Sequence, residues 1–204
     1  MLPGLLVNLV AYDEDFMARE VGWMNGPMGE WWGADGLATE SSQRQRREQR
    51  RADVEAGRAT RFGVQTKTGE PIGIFVLRDI DPYHRTAEVG AGIGDPAYWS
   101  GGYGSDCMLL VVQYAFDWLD LRRLFLTTRG DNFRAQRQIE KCGFRREAAS
   151  RLKILTSQGQ YQDSLYYGLM RSEWPGRDEM VERLKLREKA EAQKLRAAEG
   201  QHHE

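Results

Sequence analysis

The sequence predicts an α/β domain, and three observations carry that expectation. Residues 61–66 and 71–77 are β-rich runs separated by a Thr68-Gly69-Glu70 turn, the pattern of a hairpin. Residues 86–93 read as a strand joined by a glycine-rich loop to an amphipathic helix over 105–119. Strand and helix patterns then alternate again before two more strands.

In chain order, residues 5–11 alternate weakly and suggest a first strand, and residues 13–25 read as a helix. A loop over 26–36 carries Trp31 and Trp32. Ser41 or Ser42 then caps a helix that runs through Arg44, Arg46, Arg47, Arg50 and Arg51 to about residue 56. Gly90, Gly92 and Gly94, in and just after the strand at 86–93, are weak points where a ligand backbone is expected to approach. Leu109, Leu110, Tyr114, Phe116 and Trp118 give the next helix its apolar side. Residues 124–128 form a buried strand, 134–142 a helix ended by Gly143, and 150–156 and 162–171 the last strands. Residues 1–176 are therefore expected to form the domain. Half of residues 177–204 are charged, with Leu184, Leu186 and Leu195 too thinly spaced for heptads, so this stretch reads as a solvated, helical or disordered tail.

A chain of 204 residues, 41% of them hydrophobic, is long enough to bury one core and carry an appendage, so one domain is expected. No apolar run approaches the ~20 residues that span a membrane, and residues 1–10 lack a basic region ahead of an apolar one. A cytoplasmic protein with no membrane partner is expected. Cys107 and Cys142 have neither metal-ligand spacing nor the density of a disulfide framework and are expected to be reduced. A formal charge of −1 argues against a general nucleic-acid binder, so such a contact has to be local. His202 and His203 are a lone pair, and no metal is expected.

The run Asp95-Pro96-Ala97-Tyr98-Trp99-Ser100-Gly101-Gly102-Tyr103-Gly104 carries the chemistry. Three glycines in its last four residues permit a tight turn with the N–H groups facing inward, and the helix start that follows adds its positive dipole end. Such a point holds an anion. A nucleoside-triphosphatase loop needs a Lys and then Ser or Thr after its last glycine, but Ser105-Asp106 stands there. A dinucleotide loop needs a third glycine on the helix, but Gly104 is followed by Ser105, Asp106 and Cys107. Asp106 favours the helix start and repels a phosphate placed too close to it.

The run is instead similar to the cofactor loop of the GNAT superfamily of N-acetyltransferases, Gln/Arg-x-x-Gly-x-Gly/Ala, mapped onto Trp99, Gly102 and Gly104. Trp99 departs from the usual first residue but resembles the subgroup that includes the ribosomal-protein N-terminal acetyltransferases. Asn132 to Phe144 resembles that family's Asn-x-x-Ser-x-x-x-x-Glu-Lys-x-Gly-Phe. Trp23-Met24-Asn25, Glu88-Val89-Gly90, Gly159 to Asp163 and Tyr166 to Trp174 match further family blocks in the right order. The resemblance implies a mixed, mostly antiparallel sheet flanked by helices, with the fourth and fifth strands splayed apart.

It also implies acetyl-coenzyme A as co-substrate and a primary amine, small or peptidic, as partner. Backbone N–H groups of Gly101, Gly102, Tyr103, Gly104 and Ser105 are expected to cradle the pyrophosphate, with Trp99 and Ser100 in the same loop. Asn132 is expected to bond the pantetheine arm, and a main-chain amide near Ile93 to polarise the thioester carbonyl. Glu88 is the candidate base, acting through water, with a structural carboxylate as its alternative. Many relatives place a Tyr where Ile139 stands, and the subgroup a Ser where Ala135 stands, so water or Tyr103 is left as acid. Trp31, Trp32, His84 and Asp163 are candidates for the acceptor cleft, and Asp163 serves equally as a hairpin brace. Cys107, with no His near in sequence, is expected to pack rather than to act as a nucleophile.

Three classes of function stay open on these residues. The first is an acetyltransferase acting on a protein N-terminus, polyamine, amino acid or other amine, with a homodimer left open. Ala135 and Ile139 support a non-catalytic acyl-coenzyme A sensor or scaffold. The helix from Arg44 to Arg51 supports an RNA- or ribosome-binding module, although Glu48, Asp53 and Glu55 dilute its charge into a solvated face.

Overall fold

The computed structural model describes residues 1–32 and 40–200. Leu2–Pro3 (β1), Val7–Ala11 (β2), Thr60–Thr66 (β3), Pro71–Asp81 (β4), Thr86–Ile93 (β5), Arg123–Arg129 (β6), Arg145–Leu155 (β7) and Tyr161–Met170 (β8) form one sheet in the order β1-β2-β3-β4-β5-β6-β8-β7. Every neighbouring pair is antiparallel except β5 and β6, so the sheet is mixed and mostly antiparallel. The β5–β6 crossover is made by the helix Tyr103–Gln113 (α3) and a π-helical turn, Tyr114–Trp118. Helices Glu14–Met24 (α1), Glu40–Glu55 (α2) and Phe133–Lys141 (α4) complete the layers.

Local chemistry explains the elements. The Asp13 carboxylate accepts the Phe16 amide at 3.3 Å and starts α1. The central strands β3 to β6 supply Val64, Ile72, Leu77, Ala87 and Leu124 to a core closed by Leu109, Val111 and Phe116. The helix expected over 105–119 begins earlier, at Tyr103, because Gly102 (φ 94°) adopts the left-handed conformation that sets its first turn. Its last stretch widens into the π turn where Tyr114 packs edge-on against Phe62, at 5.3 Å between ring centroids. Strand β7 starts at Arg145 rather than 150, since most of its side chains are exposed on a sheet edge and carry no apolar alternation. Part of the loop expected over 26–36 lies outside the described residues, as do His202 and His203.

The wholly solvated tail expected after residue 176 is corrected. Arg177–Arg183 (α5) and Leu186–Gly200 (α6) send Met180, Val181, Leu186 and Ala190 into the main core. A break at Lys185, with φ 53°, separates the helices, so their apolar residues face one way without a heptad repeat. No helix among the described residues is long and apolar enough to cross a membrane.

Asp106 holds these parts together. It is fully buried in the first turns of α3, and one carboxylate oxygen accepts the amides of Leu6 at 2.7 Å and Val7 at 3.2 Å. Its other oxygen meets the Arg177 guanidinium at 3.4 Å. The chain before β2, helix α3 and helix α5 therefore share one buried carboxylate. Breaking such a pair from one side leaves an uncompensated cation. Asp106→Asn is expected to lower the unfolding free energy by about 3–5 kcal/mol in urea titrations. The double variant Asp106→Asn/Arg177→Met should regain part of that loss, and a single-variant loss under about 1 kcal/mol would show that the pair is not a tether.

Candidate active site

The site begins where the sheet comes apart. β5 pairs with β6 only over Thr86–Glu88 and Arg123–Phe125, and beyond that the strands separate. Residues 89–93 of β5 and 126–129 of β6 line the resulting groove, of about 820 Å³. The Gly94 amide donates to the Ile72 carbonyl at 2.8 Å, so antiparallel alternation turns the N–H and C=O groups of Ala91 and Ile93 the other way, into the wedge. Two indoles take the carbonyls. Trp99 Nε1 donates to Ile93 O at 2.8 Å and Trp32 Nε1 to Ala91 O at 3.2 Å. The amides of Ala91 and Ile93 are the donors that the lost β6 pairing leaves in the wedge.

Gly90 and Gly92 line the groove, and the room at all three glycines is used by the chain itself. A Cβ on Gly92 would strike the Trp32 ring, one on Gly94 the Trp23 ring, and one on Gly90 a Val76 methyl at 2.7 Å. Gly92 and Gly94 are seats for tryptophans.

At one end of the groove stands the glycine loop. Ser100 (φ 70°) and Gly102 (φ 94°) turn it left-handed into the start of α3, and Ser100, Gly102, Gly104 and Ser105 line the groove with Trp99. The Arg134 guanidinium lies over the Trp99 ring, 3.5 Å from its centroid, and desolvation lowers its pKa. Arg134, Arg137 and Lys141 from α4 and Lys189 from α6 also line this end, so a helix start and four cations surround one place. A Cβ on Gly104 would sit 2.8 Å from the Gln138 amide, and one on Gly102 would sit 3.1 Å from the Lys189 chain. Gln193 donates to Gly101 O at 3.3 Å, which ties α6 to the back of the loop. Asn132 is buried beside the groove, and its Oδ1 caps α4 by accepting the Ala135 amide at 3.1 Å.

Gly101 and Tyr103 do not line the groove. The Tyr103 ring covers Gly101 and packs edge-on against Tyr98 at 5.1 Å, while burial first and the Glu70 charge second raise its pKa. The groove lining includes Tyr98 but not the Tyr103 ring packed against it, so the geometry offers no support for Tyr103 as the acid. His84 lies in the exposed turn from β4 to β5, its amide bonded to the Asp81 carboxylate at 2.7 Å, away from the groove. Asp163 accepts the Leu152 amide at 2.9 Å across the β7–β8 irregularity and does not line the groove either. The hairpin-brace alternative is the one its geometry matches.

The other end of the groove is rich in arginine. Glu88 is mostly buried and bonded to Arg78 across the β4–β5 pair at 2.6 Å. Glu20, 3% exposed, receives Arg50 at 2.7 Å, Arg61 at 3.6 Å and the Tyr12 hydroxyl. Burial, then the Glu20 charge, pushes the Tyr12 phenol up to about 12. Arg46, on the same helix as Arg50, also reaches the groove, so that helix is not a uniformly solvated face. Trp31 and Trp32 line the groove, and the Arg129 guanidinium lies 4.8 Å from the Trp31 ring centroid. Arg129 also donates to Glu30 O at 2.6 Å and pairs with Asp131 at 2.6 Å. Sequence reasoning missed Arg61, Arg129 and Arg134, because an arginine turned inward has the same letter as one in solvent.

Comparison with known proteins places this architecture. A family model described as an acetyltransferase (GNAT) domain matches residues 41–145, just over half of the chain. An uncharacterized N-acetyltransferase, YoaA, from Bacillus subtilis is 31% identical over 110 residues, covering 53% of this chain and 62% of that protein. The putative ribosomal N-acetyltransferase YdaF of Bacillus subtilis is 30% identical over 108 residues, covering 53% of this chain and 58% of YdaF. The chain spans less than two thirds of the length of these curated relatives. A crystal structure of spermidine N-acetyltransferase from Vibrio cholerae, in complex with CoA and spermine, superposes with a TM-score of 0.74. It is 21% identical, with 82% of this chain and 97% of that one covered, a likeness of fold.

The thiols are out of reach of the groove chemistry. Both are buried, burial pushes Cys142 up to about 12, and burial raises Cys107 well above the ordinary thiol range. A disulfide-exchange reagent at pH 8 should therefore label neither cysteine in the native protein and both in denaturant. Labelling of Cys107 in the folded state would restore it as a candidate nucleophile.

Proposed function

The chain belongs to the acetyltransferase (GNAT) family, and from that premise we propose that it transfers an acetyl group from acetyl-coenzyme A to a primary amine. The observation that carries this reading is the continuity of one groove. It runs from a glycine loop at a helix start, past the Ala91 and Ile93 amides, to a half-buried cluster of charged groups and tryptophans.

The residues present fit the co-substrate. The positive end of α3, Arg134, Arg137, Lys141 and Lys189 suit the phosphates, and Gly102 and Gly104 line the groove beside them without side chains of their own. Trp99 stands where the family loop has Gln or Arg, and Arg134, stacked on its ring, brings a guanidinium back to that place. Asn132 is proposed to meet the pantetheine arm with its amide N–H groups, since its Oδ1 is engaged in the α4 cap. When bound, acetyl-coenzyme A supplies the activated acetyl group. The chain's part is then to hold donors toward the carbonyl oxygen with the Ala91 and Ile93 amides, and to relieve the incoming ammonium of a proton.

Glu88 is proposed for that proton, through water. It lines the groove, and one of its oxygens bonds Arg78 while the other remains for a water. For the leaving thiolate no protein acid is proposed, since Ala135 and Ile139 line the groove and Tyr103 does not, which leaves water. The same two residues favour the second reading, an acyl-coenzyme A sensor, in which acetyl-coenzyme A binds without turnover against any amine. We do not favour the RNA reading, because Arg46 and Arg50 line the groove and Arg51 pairs with Glu55 at 2.7 Å.

Gly104→Val should weaken acetyl-coenzyme A binding more than about tenfold by calorimetry, with an unchanged melting temperature, since its side chain meets only the movable end of Gln138. Gly102 is a poorer test, because its positive φ strains any substitution. Unchanged affinity in Gly104→Val removes the loop from the site.

Glu88→Gln should lower turnover at neutral pH by about 10²–10⁴-fold with little change in acetyl-coenzyme A affinity. The deficit should shrink as pH rises toward the pKa of the amine, because a neutral amine needs no base. A pH–rate profile with a loss below about tenfold throughout would make Glu88 only the partner of Arg78.

A further inference from the structure

The charges at the acceptor end do not balance. From α1, α2, β3, β4 and β5 the groove receives Arg46, Arg50, Arg61 and Arg78 against Glu20 and Glu88. Glu88 is matched by Arg78 at 2.6 Å. One oxygen of Glu20 takes both Arg50 and the Tyr12 hydroxyl, and the other faces Arg61 at 3.6 Å, so the carboxylate is shared by two guanidinium groups of the chain itself. Arg61 Nε is buried with no hydrogen-bond partner, and its guanidinium lies 4.7 Å from the Tyr12 ring centroid. Arg46 has no ion pair among the described residues and is exposed at the groove's edge. Among the described groove-lining residues of these five elements, guanidinium groups therefore outnumber carboxylates by two. Burial first, and the neighbouring Arg50 charge second, lower the pKa of Arg61.

The geometry points to an acceptor whose amine is accompanied by a carboxylate, as in an amino acid or a peptide with acidic residues next to its N-terminus, and not to a polyamine. The inference rests on the acetyltransferase reading above and names its acceptor class. A planar guanidinium binds a carboxylate through paired N–H donors, and Arg46 and Arg50, four residues apart on one helix face, both reach the groove. A second ammonium in the same place meets like charge and has to compete with Arg50 and Arg61 for Glu20. Glu88, nearer the wedge, is the one acidic group left to face the reacting amine. The arrangement thus sorts an acceptor by sign, with amine toward β5 and acid toward α2.

The test uses three C-terminally amidated peptides that differ only in side-chain charge, Ala-Glu-Glu, Ala-Gln-Gln and Ala-Lys-Lys, together with spermidine. Turnover with acetyl-coenzyme A is measured, and so is calorimetric binding of each acceptor to protein saturated with coenzyme A. The Glu peptide should exceed the Gln peptide about tenfold in kcat/KM and in affinity, with the Lys peptide and spermidine below both. That preference should fall as salt rises from 0.05 to about 0.5 M. Arg46→Gln should reduce kcat/KM for the Glu peptide about fivefold more than for the Gln peptide, a difference that general damage to the fold does not produce. Equal values for the Glu and Gln peptides, or spermidine as the best acceptor, overturn the inference. If no acceptor turns over, the acetyltransferase reading fails, and the binding series still decides whether the anion site exists.

Discussion

One buried carboxylate fixes the geometry on which the groove depends. Asp106 lies in the opening turns of α3, where the N-terminal dipole favours a negative charge, and its oxygens take two main-chain amides and one guanidinium. Isolated, a buried carboxylate is strongly disfavoured; with these partners it becomes a three-way joint. Leu6 and Val7 bring the first long strand, Arg177 brings the C-terminal helices, and α3 carries the glycine loop. Because Asp106 points into this joint and not into the groove, the first turn of α3 keeps its positive end clear for an anion. The repulsion of phosphate that its place in the sequence suggests is thereby removed.

The second constraint is a defect in the sheet. A parallel pair that stops after three residues leaves main-chain groups facing a gap. Unsatisfied amides and carbonyls are costly when buried, and here the chain fills only half of the vacancy. Trp32 and Trp99 satisfy the carbonyls of Ala91 and Ile93 with their indole N–H groups. An indole donates and cannot accept, so it satisfies the carbonyls and leaves the amides. The result is a pair of donors already oriented on a rigid strand, the kind of preorganisation that stabilises developing negative charge without a motion at the moment of reaction.

Much of the fold was legible because its central elements follow simple rules. Thr86–Ile93 was bounded correctly as a strand, the 61–77 hairpin was found by its turn, and the loop at 99–105 by its glycines. What failed to show lies where the pattern carries little information. Strand β7 is exposed along most of its length, and α5 and α6 bury scattered apolar residues on two helices, split at Lys185, that a heptad search passes over. The site was legible as backbone more than as side chains. Tyr103 and His84 have suitable chemistry, but an edge-on contact with Tyr98 and an exposed turn leave them out of the groove lining. Arg129 and Arg134 have chemistry common on surfaces and are made part of the groove by the aromatic rings they cover. Gly92 and Gly94 were noticed for their lack of a side chain, whereas the groups that need the room are tryptophans of the same chain.

Helix α6 rests directly on the glycine loop, with Leu186 and Lys189 against Gly102 and Gln193 bonded to Gly101. The last helix and the anion end of the groove are thus thermodynamically linked: whatever settles in the loop stabilises the helix behind it, and fraying of the helix loosens the loop. Occupancy at one end of the groove is readable as slower amide exchange in a segment that reaches it only through the Lys189 side chain. The C-terminal helix becomes a built-in reporter of the loaded state.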